Sequence, residues 1–145
     1  MHPSKRFSSA EKEQIIEAIR QAEKNTSGEI RVHIENHCSK AALDRAAQLF
    51  AELKMHKTAL RNGVLLYLAI EDRQFAILGD VGINSKVPNN FWDTTKELIL
   101  EQFRQGEVCK GLCQGIQEVG RQLKSYFPYQ SDDVNELPDE ISFKD

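Results

Sequence analysis

Apolar residues recur along this chain at two spacings, and the change of spacing marks the elements. Ser8 to Glu11 reads as a capping box, after which Ile15, Ile19 and Ala22 share one helical face. That helix should stop before Asn25-Thr26-Ser27-Gly28, where a glycine lets the backbone change direction. Glu29 to Glu35 then alternates strictly, with Ile30, Val32 and Ile34 opposing Glu29, Arg31, His33 and Glu35. The pattern predicts a strand near a sheet edge, its charged side and His33 turned to water. A second helix is expected from Ala41 to Met55, with Leu43, Ala47, Phe50 and Leu53 facing inward.

Val64 to Ile70 is apolar throughout, as in a central strand covered on both faces. Strand, helix, strand in this order favours a right-handed parallel crossover. Only Glu71-Asp72-Arg73 then separates this strand from Gln74–Leu78, and so short a link permits only an antiparallel hairpin. After a loop from Gly79 to Asn90, Asn90 is the expected N-cap of a helix carrying Trp92, Thr95, Ile99 and Phe103 on one face. The last helix bears Leu112, Ile116, Val119, Leu123 and Phe127, and its Gly111, Gly115 and Gly120 suit close approach to a neighbour. The fold expected is a three-layer α/β/α sandwich with a small mixed sheet, formed by one domain over residues 1–129. Residues 130–145 make an acidic tail, pinned down by Leu137, Ile141 and Phe143.

Composition narrows the function classes. The 145 residues are 40% hydrophobic and 28% charged, and the net charge of −3 offers no basic field for nucleic acid. The longest apolar run is far too short for a bilayer span, and Met1 to Gln14 has no apolar core of a secretory signal. Three cysteines, an odd number, argue for reduced thiols and a cytoplasmic location. Cys109 and Cys113 stand four apart on a helix, an incomplete metal set better suited to packing.

The hairpin brings three segment ends to one rim: Gly28-Glu29, Arg61-Asn62 and Gly79-Asp80. Oxygen donors from Glu29, Asn62 and Asp80 suit a hard cation, Ca²⁺ or Mg²⁺. The same residues also suit plain turns, Asp80 and Asn62-Gly63 being ordinary turn formers. At the opposite end Glu35 to Cys38 meet Glu71 to Arg73, where open α/β sheets usually hold ligands.

The ordered set Gly28-Glu29, Asn62-Gly63-Val64-Leu65-Leu66, Asp72-Arg73, Gly79 and Gly82 resembles the TPM-domain family from about Ser8 to Tyr129. That family includes a thylakoid-lumen acid phosphatase, photosystem II repair proteins and a receptor-associated membrane protein. The resemblance implies the α/β/α sandwich, a divalent-cation site and, in some members, phosphatase activity. It marks Glu29, Asn62, Asp72, Arg73 and Asp80, in what looks like a stand-alone soluble bacterial-type member. Where the family's loop reads Gly-Tyr-Gly, Asp80-Val81 separates the glycines here. Two functions follow as expectations. One is a cation-stabilised module contacting a protein partner. The other is a metal-dependent phosphatase acting on phosphoesters, with Asp80 as ligand or base, Glu29 and Asn62 as ligands, and Arg61 or Arg73 clamping phosphate.

Overall fold

The structure is a computed structural model and describes residues 1–129, 136, 137 and 139–144. A short 3-10 turn, Pro3–Arg6, precedes α1 (Ser9–Glu23), which opens on the expected capping box with both reciprocal bonds formed. The strands β1 (Glu29–Glu35), β2 (Gly63–Ala69), β3 (Gln74–Gly79) and β4 (Ile141–Lys144) form one sheet in the order β3-β2-β1-β4. β1 runs parallel to β2 across α2 (Ala42–Glu52), and β2 pairs antiparallel with β3, as the chain pattern predicts. α3 (Val81–Asn84), α4 (Asp93–Arg104) and α5 (Val108–Tyr126) follow.

Two cores lie on the two faces of the sheet. On one, Ile30, Val32, Ile34, Val64, Leu66 and Leu68 meet α1, α4 and α5. On the other, Leu65, Tyr67, Ala69 and Ala76 meet Ala46, Leu49 and Phe50 of α2, together with Met55 and Leu137. The α5 glycines are the contact surface of the first layer. A Cβ on Gly115 would lie 2.3 Å from Ile99 Cδ1, and one on Gly120 would lie 2.7 Å from Ala22 Cβ. Their weak helix propensity is offset by backbone approach that a larger residue would block.

Four expectations are corrected. β1 is an inner strand, not an edge strand, because β4 adds to it in parallel through the pairs Val32↔Ile141 to Glu35↔Lys144. Its charged side is buried, Glu29, Arg31, His33 and Glu35 being at most 8% exposed, since Arg45 of α2 and the described residues Glu136, Glu140 and Ser142 meet that face. In α2 the buried residues are Ala46, Leu49 and Phe50, with Leu53 partly buried beside them; of the expected stripe Phe50 and Leu53 face inward, whereas Leu43, 55% exposed, and Ala47 do not. α4 starts at Asp93 after Trp92, with no side-chain cap from Asn90. Of the expected tail, Leu137 lies in the second core and Ile141–Lys144 form β4; Gln130 to Asn135, Pro138 and Asp145 lie outside the described residues.

Candidate functional site

Glu29, Asn62 and Asp80 share one rim of the sheet. Glu29 pairs with Gly63, its amide donates to the Asn62 carbonyl at 3.3 Å, and the Asp80 amide donates to the Gly63 carbonyl at 3.0 Å. All three are buried. Pairing sets Glu29 and Asp80 on the same face, two strands and so roughly 10 Å apart. Gly63 lies between them, and the space above it is filled by Met55 and Leu137. Asn62, just before β2, is buried with its Nδ2 unpartnered. The rim is common, but apolar side chains stand between the two carboxylates.

Asp80 has its own partners. Its carboxylate accepts from Arg61 Nε at 2.7 Å and Nη2 at 2.9 Å, and from the Val81 amide at 2.7 Å. The residue therefore caps α3 and holds Arg61, whose φ is +50°. Gly82 completes the turn: its amide donates to the Arg61 carbonyl at 2.9 Å. Arg73 lies before β3 and Asp80 after it. Six strand residues at about 3.3 Å each separate them, so Arg73 does not reach a group held at Asp80.

Around Glu29 the structure gathers carboxyl groups that the sequence pattern does not single out. Glu29 accepts from the amides of Glu136 and Leu137 through one oxygen, while its Oε2 is buried without a partner. Burial, with Glu136 and Asp139 nearby, raises its pKa to about 7. Glu23, at the end of α1, accepts from the Ile30 amide at 2.8 Å and lies against the Asp139 carboxyl group. Burial and that contact push it up to about 9. The one sequence signal for Glu23 was its place in the last turn of a helix, where the macrodipole disfavours an anion. Asp139 Oδ1 is likewise buried and unpartnered.

At the other end of β1, Glu35 is the centre of a satisfied network. It accepts from Arg45 Nε and Nη2, both at 2.9 Å, from Tyr67 Oη at 2.5 Å and from His33 Nε2 at 3.1 Å. Burial opposes its charge, yet these donors hold it at about 2. Burial lowers the His33 pKa, so the neutral ring donates to Glu35 and accepts at Nδ1 from Ser142 Oγ, 2.9 Å away. Outside this network, His37 bridges Asp72 at 2.9 Å and Glu71 at 3.1 Å, and the Cys38 amide donates to Asp72 at 2.7 Å. All three cysteines are free, and burial pushes Cys109 up to about 12, as for a packing residue.

A family model described as the TPM domain matches residues 2–122. The chain belongs to the TPM-domain family. This TPM domain is similar to the BA42 protein of the psychrophilic bacterium Bizionia argentinensis, at 51% identity over 94% of each chain and a TM-score of 0.89. It is also similar in fold to the N-terminal domain of the cg2496 protein of Corynebacterium glutamicum. There the identity is 15% over 93% of this chain and 79% of that one, with a TM-score of 0.62. No curated protein matches the chain.

For a divalent cation, the donors around Glu29 fit in kind: hard carboxylate oxygens, two of them buried and unpartnered. They do not form a closed cage, since no three His, Cys, Asp or Glu side chains among the described residues are grouped to hold a metal. An ion held here would take the rest of its shell from carbonyls and water, as Mg²⁺ in particular does. No helix among the described residues is long and apolar enough to cross a membrane.

Proposed function

We propose that this TPM domain is a cation-responsive interaction module. A divalent cation, Ca²⁺ or Mg²⁺, binds at Glu29 beside Asp139, takes the rest of its shell from carbonyls and water, and secures the C-terminal segment against β1 for contact with a protein partner. The observation that carries the reading is the buried, unpartnered Glu29 Oε2 at the point where residues 136 and 137 dock. A buried carboxylate oxygen without a donor is costly, and either a proton or a metal ion relieves it. Asn62 and Asp80 border this place on the same rim; Asp80, already held by Arg61, is the weaker donor. The expected cytoplasmic location is part of this proposal.

The test is thermal melting of the full chain at pH 7.5 with and without millimolar Ca²⁺ or Mg²⁺. Binding to the folded state alone raises the midpoint by mass action. The shift should disappear in Glu29→Gln and persist in Asp80→Asn. No shift with either ion sinks the proposal.

A metal-dependent phosphatase is the second reading, supported by the family resemblance. It needs a phosphate clamp near the cation, and Arg61 rather than Arg73 stands on that rim. Turnover of a chromogenic phosphoester that depends on added metal and vanishes in Asp80→Ala would favour it over the binding module.

A further inference from the structure

The other end of the sheet holds a cleft of about 510 Å³ between the β2–β3 hairpin and the α4–α5 turn. Its floor is apolar, formed by Leu68, Ile70, Leu100, Phe103 and Val108, and its rim carries Arg73 and Arg104. All the floor residues except Leu68 are only partly buried, although each packs against the main core. The folded chain thus leaves contiguous apolar surface open beneath two guanidinium groups.

Local charge pairing leaves Arg73 available. The acids preceding it in the hairpin are engaged elsewhere, Glu71 with Arg6 and His37 and Asp72 with His37 and the Cys38 amide. The Arg73 amide donates to the Ile70 carbonyl at 3.3 Å, while its guanidinium makes no ion pair or hydrogen bond among the described residues. Arg104 is joined to Glu101 at 3.0 Å and Glu97 at 3.6 Å on the exposed face of α4, contacts weak enough to yield to a ligand. Among the lining residues is Val108, the first residue of α5, and Glu107 before it makes no side-chain cap to that helix.

The backbone supplies a separate observation. Arg73 has φ +53°, a left-handed conformation that glycine or asparagine adopts more readily. A strained position occupied by a long cation points to use of the side chain. The cleft also lies beyond the carboxyl end of β2, the region where open α/β sheets collect ligands.

We propose that this cleft is a binding site for a small amphipathic anion, a hydrocarbon chain or ring ending in a carboxylate or phosphate. The apolar body lies on Ile70, Leu100, Phe103 and Val108, and the head group pairs with Arg73, assisted by Arg104. Apolar lining with few placed polar groups is the general pattern of such sites. The site is independent of the cation proposed at the opposite rim.

The experiment is an amide-resolved NMR titration of the full chain with octyl phosphate, octanoate, octanol and inorganic phosphate. Octyl phosphate or octanoate should shift the amides of Arg73, Gly106 and Val108, and the stronger of the two identifies the head group. Octanol and inorganic phosphate, each lacking one half of the chemistry, should bind at least about tenfold more weakly. Arg73→Gly relieves the backbone while removing the charge. It should melt at the same temperature or higher and lose at least about tenfold in affinity, with Arg73→Lys in between. The proposal is overturned if neither octyl anion perturbs these amides, if octanol binds as tightly, or if Arg73→Gly binds like the parent chain.

Discussion

Arg61 grips Asp80 through two parallel hydrogen bonds, at 2.7 and 2.9 Å, while the same carboxylate caps α3 at the Val81 amide. The pair closes the turn that brings β3 back to the start of β2. Asp80→Asn keeps an oxygen for the Val81 amide and Arg61 Nη2 but turns an NH2 group toward Arg61 Nε, losing one charge-assisted bond to a half-exposed arginine, so its melting point should fall only slightly. Asp80→Ala loses the cap as well and should cost about 1 kcal/mol or more. Urea unfolding of the two variants checks this, and equal losses would show that the cap contributes nothing.

Gly82 is more tightly constrained than the α5 glycines. A Cβ there would lie 2.1 Å from the Leu60 carbonyl oxygen and 2.5 Å from that of Arg61, both backbone atoms that cannot swing away. On Gly115 the obstacle is the end of the Ile99 side chain, at 2.3 Å, which can change rotamer. Gly82→Ala should therefore reach or exceed the upper end of the roughly 1–3 kcal/mol typical of overpacking, with Gly115→Ala clearly milder. Soluble yield and chemical denaturation of both variants rank them.

Glu35 sets the acid limit of stability. Its carboxylate, 4% exposed, is held at about 2 against an ordinary value near 4.5. A depressed carboxylate contributes stability that is present above pH 4.5 and lost as pH falls toward 2. Glu35→Gln leaves Arg45 beside a neutral amide in a mostly buried place and should cost about 3 kcal/mol at neutral pH. The loss should shrink as the parent chain is acidified. A loss independent of pH would mean that packing, not charge, holds the network.

The sheet was legible where the pattern is local. The apolar run Val64 to Ile70 and the three-residue link after it dictate a central strand and a hairpin, and both are present. The alternation in Glu29 to Glu35 reports two kinds of face without saying what covers the polar one. Arg31 and His33 find partners in Glu140 and Ser142, more than a hundred residues on, although Arg31 Nε stays unpartnered, and Glu35 finds Arg45 on α2; no local period carries that information. The α2 stripe was half legible: Phe50 and Leu53 face inward as expected, but Leu43 is as apolar as Leu49, and only the tertiary packing decides which of the two the core takes. At the site, the common rim followed from topology, whereas side-chain direction did not. Gly63 between Glu29 and Asp80 leaves room, and Met55 and Leu137 fill it. Glu23 and Asp139 were missed for the reason that hid β4: each matters only once the C-terminal segment has returned to β1.

The same return gives the protein an alkaline limit. Glu29 and Glu23 have folded-state values of about 7 and about 9, well above the ordinary 4.5. The native state therefore holds protons that the unfolded chain has released. A raised carboxyl contributes stability that is complete below about pH 4.5 and is lost as pH rises through the folded value. For the metal-free chain this predicts a decline beginning above pH 4.5, continuing through pH 7 as Glu29 ionises and through pH 9 as Glu23 does. With the opposite trend of Glu35, maximum stability should fall on the mildly acidic side of neutrality. Glu23→Gln should flatten the upper part of the decline, because a neutral amide keeps the contact with Asp139 without a proton to lose. If a divalent cation takes the proton's place, millimolar Ca²⁺ or Mg²⁺ should restore stability most at pH 8–9 and least at pH 5, where the carboxyl groups are already neutral. Denaturation curves across that range, with and without metal, decide the matter: a decline unchanged in Glu23→Gln removes the carboxyl cluster as its cause, and a metal effect equal at both ends of the range removes the cation from this site.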